Sequence, residues 1–203
     1  MTERPGPPAR DRREGGRFFV AIDLDDRSRA AIAKEQERLR RACEGGSPMR
    51  WIAPDQMHLT LVFIGQVDDE RGAGMREAFG QRVDLPAFDL WFGGVGAFPS
   101  HGAPRALWIG TLDGRSELIA LQGELAARAA HLGAVLEQRP FSPHLTIARW
   151  KTSRPSDRRR ALADAGGEPL ARVRIDHATL YRSQLSSAGS TYTALARVDL
   201  GIG

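Results

Sequence analysis

The chain has 203 residues, 41% apolar and 27% charged, the balance of a globular protein that can bury a core without staples, and not of a disordered or fibrous chain. No apolar run nears the roughly 20 residues that a membrane-spanning helix needs, and the one cysteine, Cys43, leaves neither an internal disulfide nor a cysteine zinc cage. The formal net charge is +4, and of 29 basic residues only Lys34 and Lys151 are lysine; this arginine excess permits a nucleic-acid partner without requiring one.

Residues 1–16 are polar and rich in proline and glycine, with no apolar segment of a signal peptide, so a disordered tail and a cytoplasmic protein are expected. A single folded unit should then span 17–203. Residues 17–23 read as a buried strand, and 25–43 as an amphipathic helix with Ile32 and Leu39 on one face. The helix ends at Gly45-Gly46-Ser47-Pro48. A strand follows over 58–65, a helix over 68–81, and a strand over 88–98 interrupted at Gly93 and Gly94. Residues 106–112 predict another strand, and 114–132 a long helix with an apolar stripe of Leu118, Leu121, Leu125 and Leu132. A strand at 143–149, a short basic helix at 156–164, and strands at 172–182 and 191–200 complete the chain.

The tetrapeptides His58-Leu59-Thr60-Leu61 and His144-Leu145-Thr146-Ile147 lie 86 residues apart. Shifting the other elements by the same 86 lays the first helix on the long helix, the first strand beside the strand at 106, and the strand at 106–112 near 192–200. Asp89 falls on Ile175. Two copies of a strand–helix–strand–helix–strand unit are therefore expected, giving a duplicated α+β fold of two lobes related by a pseudo-two-fold axis.

Side chains alternate along a strand, so in each copy His and Thr share one face while Leu59 and Leu61, or Leu145 and Ile147, enter a core. A pseudo-two-fold axis would bring two imidazoles and two hydroxyls to one cleft. That set suits a phosphodiester: one imidazole takes a proton from the nucleophile and the other protonates the leaving oxygen. Thr60 and Thr146 would hold the non-bridging oxygens, where charge gathers in the transition state. The two pairs are alike, and spacing does not say which histidine is acid and which is base.

The paired motifs resemble those of the 2H phosphoesterases, and within them the chain is most similar to the RNA 2′,3′-cyclic phosphodiesterases, historically called 2′-5′ RNA ligases. The similar stretches are residues 17–23, 49–65 and 141–149, with Leu180-Tyr181-Arg182-Ser183 and Gly189-Ser190-Thr191-Tyr192 near the end. The resemblance implies two antiparallel sheets flanking a central cleft with helices outside, and hydrolysis of RNA 2′,3′-cyclic phosphate ends to 2′-phosphates. It further implies His58 as proton donor and His144 as proton acceptor. Partners would be RNA ends or nucleoside cyclic phosphates, acted on by a monomer. Rival readings are ATP-independent 2′-5′ ligation, which is the same chemistry reversed, and a non-catalytic module that only holds an RNA end.

Arg149 stands five residues after His144, so strict alternation puts it on the opposite face unless the strand twists or ends there. The family carries a basic residue at this place, which implies a phosphate anchor, against a plain solvated strand end. Arg50, Arg105, Arg182 and the run Arg158-Arg159-Arg160 are candidates to track an RNA backbone, against a plain solvated surface. Phe18, Trp51, Trp108 and Tyr181 are candidates to stack on a base, against core packing. His101, His131 and His177 have no zinc-like spacing, and no glycine-rich loop for ATP is present. Chemistry without metal or nucleotide cofactor is expected.

Overall fold

In the computed structural model, residues 16–163, 165–186 and 189–201 are described. The expected tail thus lies outside the described residues except for Gly16, which opens the first strand. Among the described residues the elements run β1 (Gly16–Asp23), α1 (Asp26–Ala42), β2 (Met49–Trp51), a 3-10 turn at Pro54–Gln56, β3 (His58–Val67), α2 (Asp69–Ala78), β4 (Val83–Pro86), β5 (Phe88–Phe98), β6 (Ala106–Thr111), α3 (Arg115–His131), β7 (His144–Trp150), α4 (Pro155–Ala161), β8 (Pro169–Ile175), β9 (His177–Ser186) and β10 (Gly189–Gly201).

The strands form two five-stranded sheets, ordered β3-β1-β9-β10-β4 and β2-β7-β6-β5-β8. Every pairing is antiparallel except β10 with β4, which is parallel, so the first sheet is mixed at that edge. Each sheet takes strands from both halves of the chain. If β3 is laid on β7, then β1 falls on β6 and β9 on β5, while β10 takes the place of β8. The 86-residue shift of β6 onto the strand near 192–200 is therefore not a match of position: β6 answers to β1, and β10 lies two strands away from β1.

Three further expectations change. The strand expected over 172–182 is two strands in different sheets, β8 and β9, divided at Asp176. The alternation changes phase there, with buried apolar residues at Ala171, Val173 and Ile175 in β8 and at Ala178 and Leu180 in β9. The interruption at Gly93 and Gly94 is a slip in register rather than a break in β5. Strands β2 and β4 have three and four residues, too short to show a period.

Local chemistry explains the helices. Asp25 caps α1 by accepting the Ser28 backbone N–H at 2.7 Å, and Ser28, Ile32, Gln36 and Leu39 form its buried stripe. That stripe lies on the second sheet, where the Ser28 hydroxyl donates to the Arg172 carbonyl of β8. Helix α3 begins after Gly114, whose φ is 80° and where any side-chain carbon would stand 2.2 Å from the Asp89 carbonyl oxygen, so glycine alone fits. Its Leu118, Leu121, Leu125 and Ala129 are buried, and Arg128 of its last turn donates to the carbonyl of Ala78, which ends α2, and to those of Gln81 and Arg82 beyond it. Leu132 ends the helix as its C-cap and packs against the core. No helix among the described residues is long and apolar enough to cross a membrane.

Candidate active site

The site rests on a repeated irregularity. Along β1 and β3, Val20 pairs with Val62 and Ala21 with Thr60, so Leu61 is an extra residue. Along β6 and β7, Leu107 pairs with Ala148 and Trp108 with Thr146, so Ile147 is extra. Both are β-bulges, and each reverses the alternation of the strand beyond it. Leu61 and Val62 are both buried, as are Ile147 and Ala148. The next residues, Phe63 and Arg149, therefore return to the face that carries His and Thr. Strict alternation puts Arg149 on the opposite face; the bulge at Ile147 corrects this.

The second bulge is held by a helix. Gln36 of α1, 4% exposed, donates its side-chain N–H groups to the Ile147 carbonyl at 2.9 Å and the Ile52 carbonyl at 2.7 Å. The Ile52 backbone N–H also donates to the Ile147 carbonyl, at 2.9 Å. The buried amide of Gln36, between Ile32 and Leu39 in the stripe, is thus explained by the carbonyls that it satisfies.

Both histidines are oriented alike. Nδ1 of His58 lies 2.9 Å from the Gln56 carbonyl, and Nδ1 of His144 lies 2.7 Å from the Ser142 carbonyl. A carbonyl only accepts, so Nδ1–H is the donor in each ring, and Nε2 is left for chemistry. Burial is the largest influence on both imidazoles and lowers their pKa values, opposed by these carbonyl bonds. The positive charge of Arg149 lowers both as well, so one guanidinium acts on both motifs. Strands β3 and β7 also pack against each other.

The surroundings differ. Against His58 stand the rings of Phe19 at 5.0 Å and Tyr192 at 5.2 Å, with Tyr181 stacked on Phe19. A cavity of about 330 Å³ opens there, lined by Phe19, Asp23, Gln56, His58, Tyr181 and Tyr192 among others. Asp23 is the cross-strand partner of His58, accepts hydrogen bonds from the Tyr181 and Thr179 hydroxyls, and raises the His58 pKa. Against His144 stand Phe98 at 4.9 Å, edge-on, and Trp108 at 6.3 Å. The cross-strand partner of His144 is Gly110. The Trp108 indole lies across Gly96, where a side-chain carbon would come within 2.2 Å of it, so glycine makes the room.

The other candidates separate. Phe18 is fully buried in the core, and half-buried Trp51 lies under the Arg40 guanidinium. Arg50 is the cross-strand partner of Arg149 and is exposed beside it. Arg105 is exposed in the turn before β6, where its carbonyl accepts from the Trp150 N–H. Arg182 is half-buried on β9, its chain against Gly16. The basic run is largely structural: Arg158 donates to the carbonyls of Ala97, Pro99 and Gly102, and Arg160 to that of Glu44. His101 and His131 are exposed, and His177 bonds Asp176. No three His, Cys, Asp or Glu residues among the described ones converge as a metal site.

Phe63, Asp23 and Gln36 escaped the sequence reading. Phe63 follows His58 by the five residues that separate Arg149 from His144, and it is 55% exposed with the Arg17 guanidinium 5.7 Å from its ring centre. That offset was the available signal. Asp23 becomes visible only once β1 is registered against β3.

Comparison with known proteins identifies the family of the chain. Residues 28–186 match the model of the 2′-5′ RNA ligase superfamily. The RNA 2′,3′-cyclic phosphodiesterase of Archaeoglobus fulgidus is 34% identical over 68% of this chain and 75% of its own, and that of Thermotoga maritima 31% identical over 88% and 92%. The crystal structure of E. coli LigT complexed with 3′-AMP superposes with a TM-score of 0.72 at 29% identity, covering 92% of this chain and 98% of that one. With well over half of its length matched by the family model, the chain belongs to the 2′-5′ RNA ligase superfamily.

Proposed function

We propose that this protein hydrolyses the 2′,3′-cyclic phosphate ends of RNA to 2′-phosphates, with His144 as proton acceptor and His58 as proton donor. The observation that carries the reading is the pair of imidazoles, each with Nδ1 tied to a carbonyl two residues back, and both under the charge of Arg149. The name that the Archaeoglobus and Thermotoga relatives bear supports the substrate.

In the proposed reaction His144 Nε2 takes a proton from water, and the water oxygen bonds to phosphorus. The P–O3′ bond breaks on the opposite side, and His58 gives its Nε2 proton to O3′. Thr60, Thr146 and Arg149 donate to the non-bridging oxygens, where negative charge grows. Phe63 offers its exposed face to the terminal base. After turnover His144 holds the proton that His58 has lost, and exchange with solvent resets both. Water far outnumbers any ribose hydroxyl, so hydrolysis outruns ligation. The reading includes a cytoplasmic monomer acting without metal or nucleotide cofactor, with the two pseudo-repeats folded as one domain over 17–203.

The test is incubation with an oligonucleotide ending in a 2′,3′-cyclic phosphate, with and without EDTA. The expected product resists a 3′-specific phosphatase, yields to a general one, and forms at the same rate in both arms. A 3′-phosphate would reverse the assigned ribose orientation. Bound but unchanged substrate would favour the end-binding module, and loss with EDTA would point to a metal-bound hydroxide.

A further inference from the structure

We propose that Asp23 is a positioning residue that keeps the catalytic proton on His58, and so sets the direction in which protons cross the site. The inference rests on the paired-histidine reading above. It explains what two similar motifs leave open, namely why one histidine is the acid and the other the base.

The geometry is specific to one motif. Asp23 sits opposite His58 in the β1–β3 ladder and lines the same cavity. The residue in the same place opposite His144 is Gly110, which has no side chain. The Asp23 carboxylate accepts from the Tyr181 hydroxyl at 2.8 and 2.9 Å and from the Thr179 hydroxyl at 2.9 Å. These neutral donors fix the carboxylate in place without cancelling its charge. Burial, with the carboxylate beside it, pushes the Tyr181 phenol up to about 12, so it remains a donor throughout any working pH.

The other polar groups around His58 do not draw the same distinction. Tyr181 of β9 and Tyr192 of β10 are phenols, and Asp55 of the 3-10 turn is exposed at the cavity rim. Arg29, whose charge acts on Tyr181, is engaged with the carbonyls of Leu24 and Pro54. Arg149 opposes protonation at both imidazoles. Asp23 favours the charged form at His58, and the influences on His144 include no carboxylate. His144, against Phe98 and Trp108, is left to lose its proton first.

The experiment is an NMR titration of the two imidazole rings, together with the pH profile of kcat/KM, in the wild-type protein, Asp23→Asn and Asp23→Glu. In the wild type His58 should titrate above His144. In Asp23→Asn, which keeps an acceptor for Tyr181 and Thr179 but no charge, the His58 titration and the basic limb of the profile should move to lower pH. Turnover should fall roughly tenfold above the optimum and little below it. The His144 titration and the acidic limb should stay in place, and Asp23→Glu should keep the wild-type basic limb. An unmoved basic limb in a folded Asp23→Asn protein, or a wild-type His58 that titrates below His144, would overturn the proposal. The wild-type order decides the matter even if the Asn variant does not fold. A wild-type protein that binds but does not hydrolyse the cyclic phosphate would instead refute the reaction, and the ring titrations would still judge Asp23.

Discussion

His58 and His144 stand on strands with the same bulge, beside the same kind of carbonyl, and the charge of Arg149 acts on both. What faces them is different. His58 meets a carboxylate, a phenylalanine and a tyrosine, whereas His144 meets a tryptophan, a phenylalanine and a glycine. Five residues past each histidine the two halves differ again, with an exposed aromatic ring in one and a cation in the other. The backbone therefore repeats while the side chains divide the work. In the proposed mechanism β3 carries the acid and a stacking platform, and β7 the general base and a phosphate anchor.

The largest effect comes from breaking the shared part. His58→Ala and His144→Ala should each lower turnover by about 10²–10⁴-fold, the usual range for a lost acid or base. Circular dichroism should show both variants folded, because the flanking Leu59, Leu61, Leu145 and Ile147 hold the strands in the core. Near-normal turnover in either variant would remove that histidine from the mechanism.

The unequal fifth residues sharpen the comparison. Arg149→Ala should cost about 10²–10³-fold in kcat, as for loss of a donor to a developing oxyanion. Phe63→Ala should act on KM instead, weakening an oligonucleotide substrate by roughly tenfold through lost base stacking. If the two variants gave the same kcat-to-KM split, the division between anchor and platform would be wrong.

How much of this was legible in the sequence follows from what each residue touches. The paired motifs were readable because His, Thr and their apolar neighbours interact within one strand at a period of two. Helices α1 and α3 were readable because their buried stripes recur at helical spacing. The face of Arg149 was not, since a bulge is a property of two strands in register, and neither strand alone reveals it. The division of 172–182 at Asp176 left a trace, since the buried apolar residues fall at odd positions up to Ile175 and at even ones from Ala178, but the change of sheet shows only in the pairing. Asp23 ended a predicted strand without visible purpose, and Gln36 broke an apolar stripe without visible partner. Both acquire meaning from residues far along the chain.

Gln36 separates the halves in a third way, because its helix holds the Ile147 bulge by a side-chain donor. Gln36→Leu should cost about 1–3 kcal/mol in urea unfolding by stranding the Ile52 carbonyl. It should also lower kcat by letting Arg149 drift, with Thr60 and His58 unaffected. An unchanged kcat in a destabilised variant would confine Gln36 to stability.

The smallest effect is in stability against acid. Burial lowers both imidazole pKa values from the ordinary 6.5, so the folded protein binds fewer protons than the unfolded chain below neutrality. The stability that this contributes is present above 6.5 and is lost as the pH falls through the lowered values. The wild-type Tm should therefore drop between pH 7 and pH 5, and by less in His58→Ala or His144→Ala. An equal drop in all three proteins would show that burial does not disfavour the charged imidazoles.

The central claim, that one neutral and one protonated histidine act in the same molecule, is tested most directly by the pH dependence of kcat/KM on a cyclic-phosphate-ended oligonucleotide in EDTA. The account predicts a bell, with the acidic limb following His144 and the basic limb following His58. A profile that rises steadily with pH, or activity that needs added metal, would contradict it.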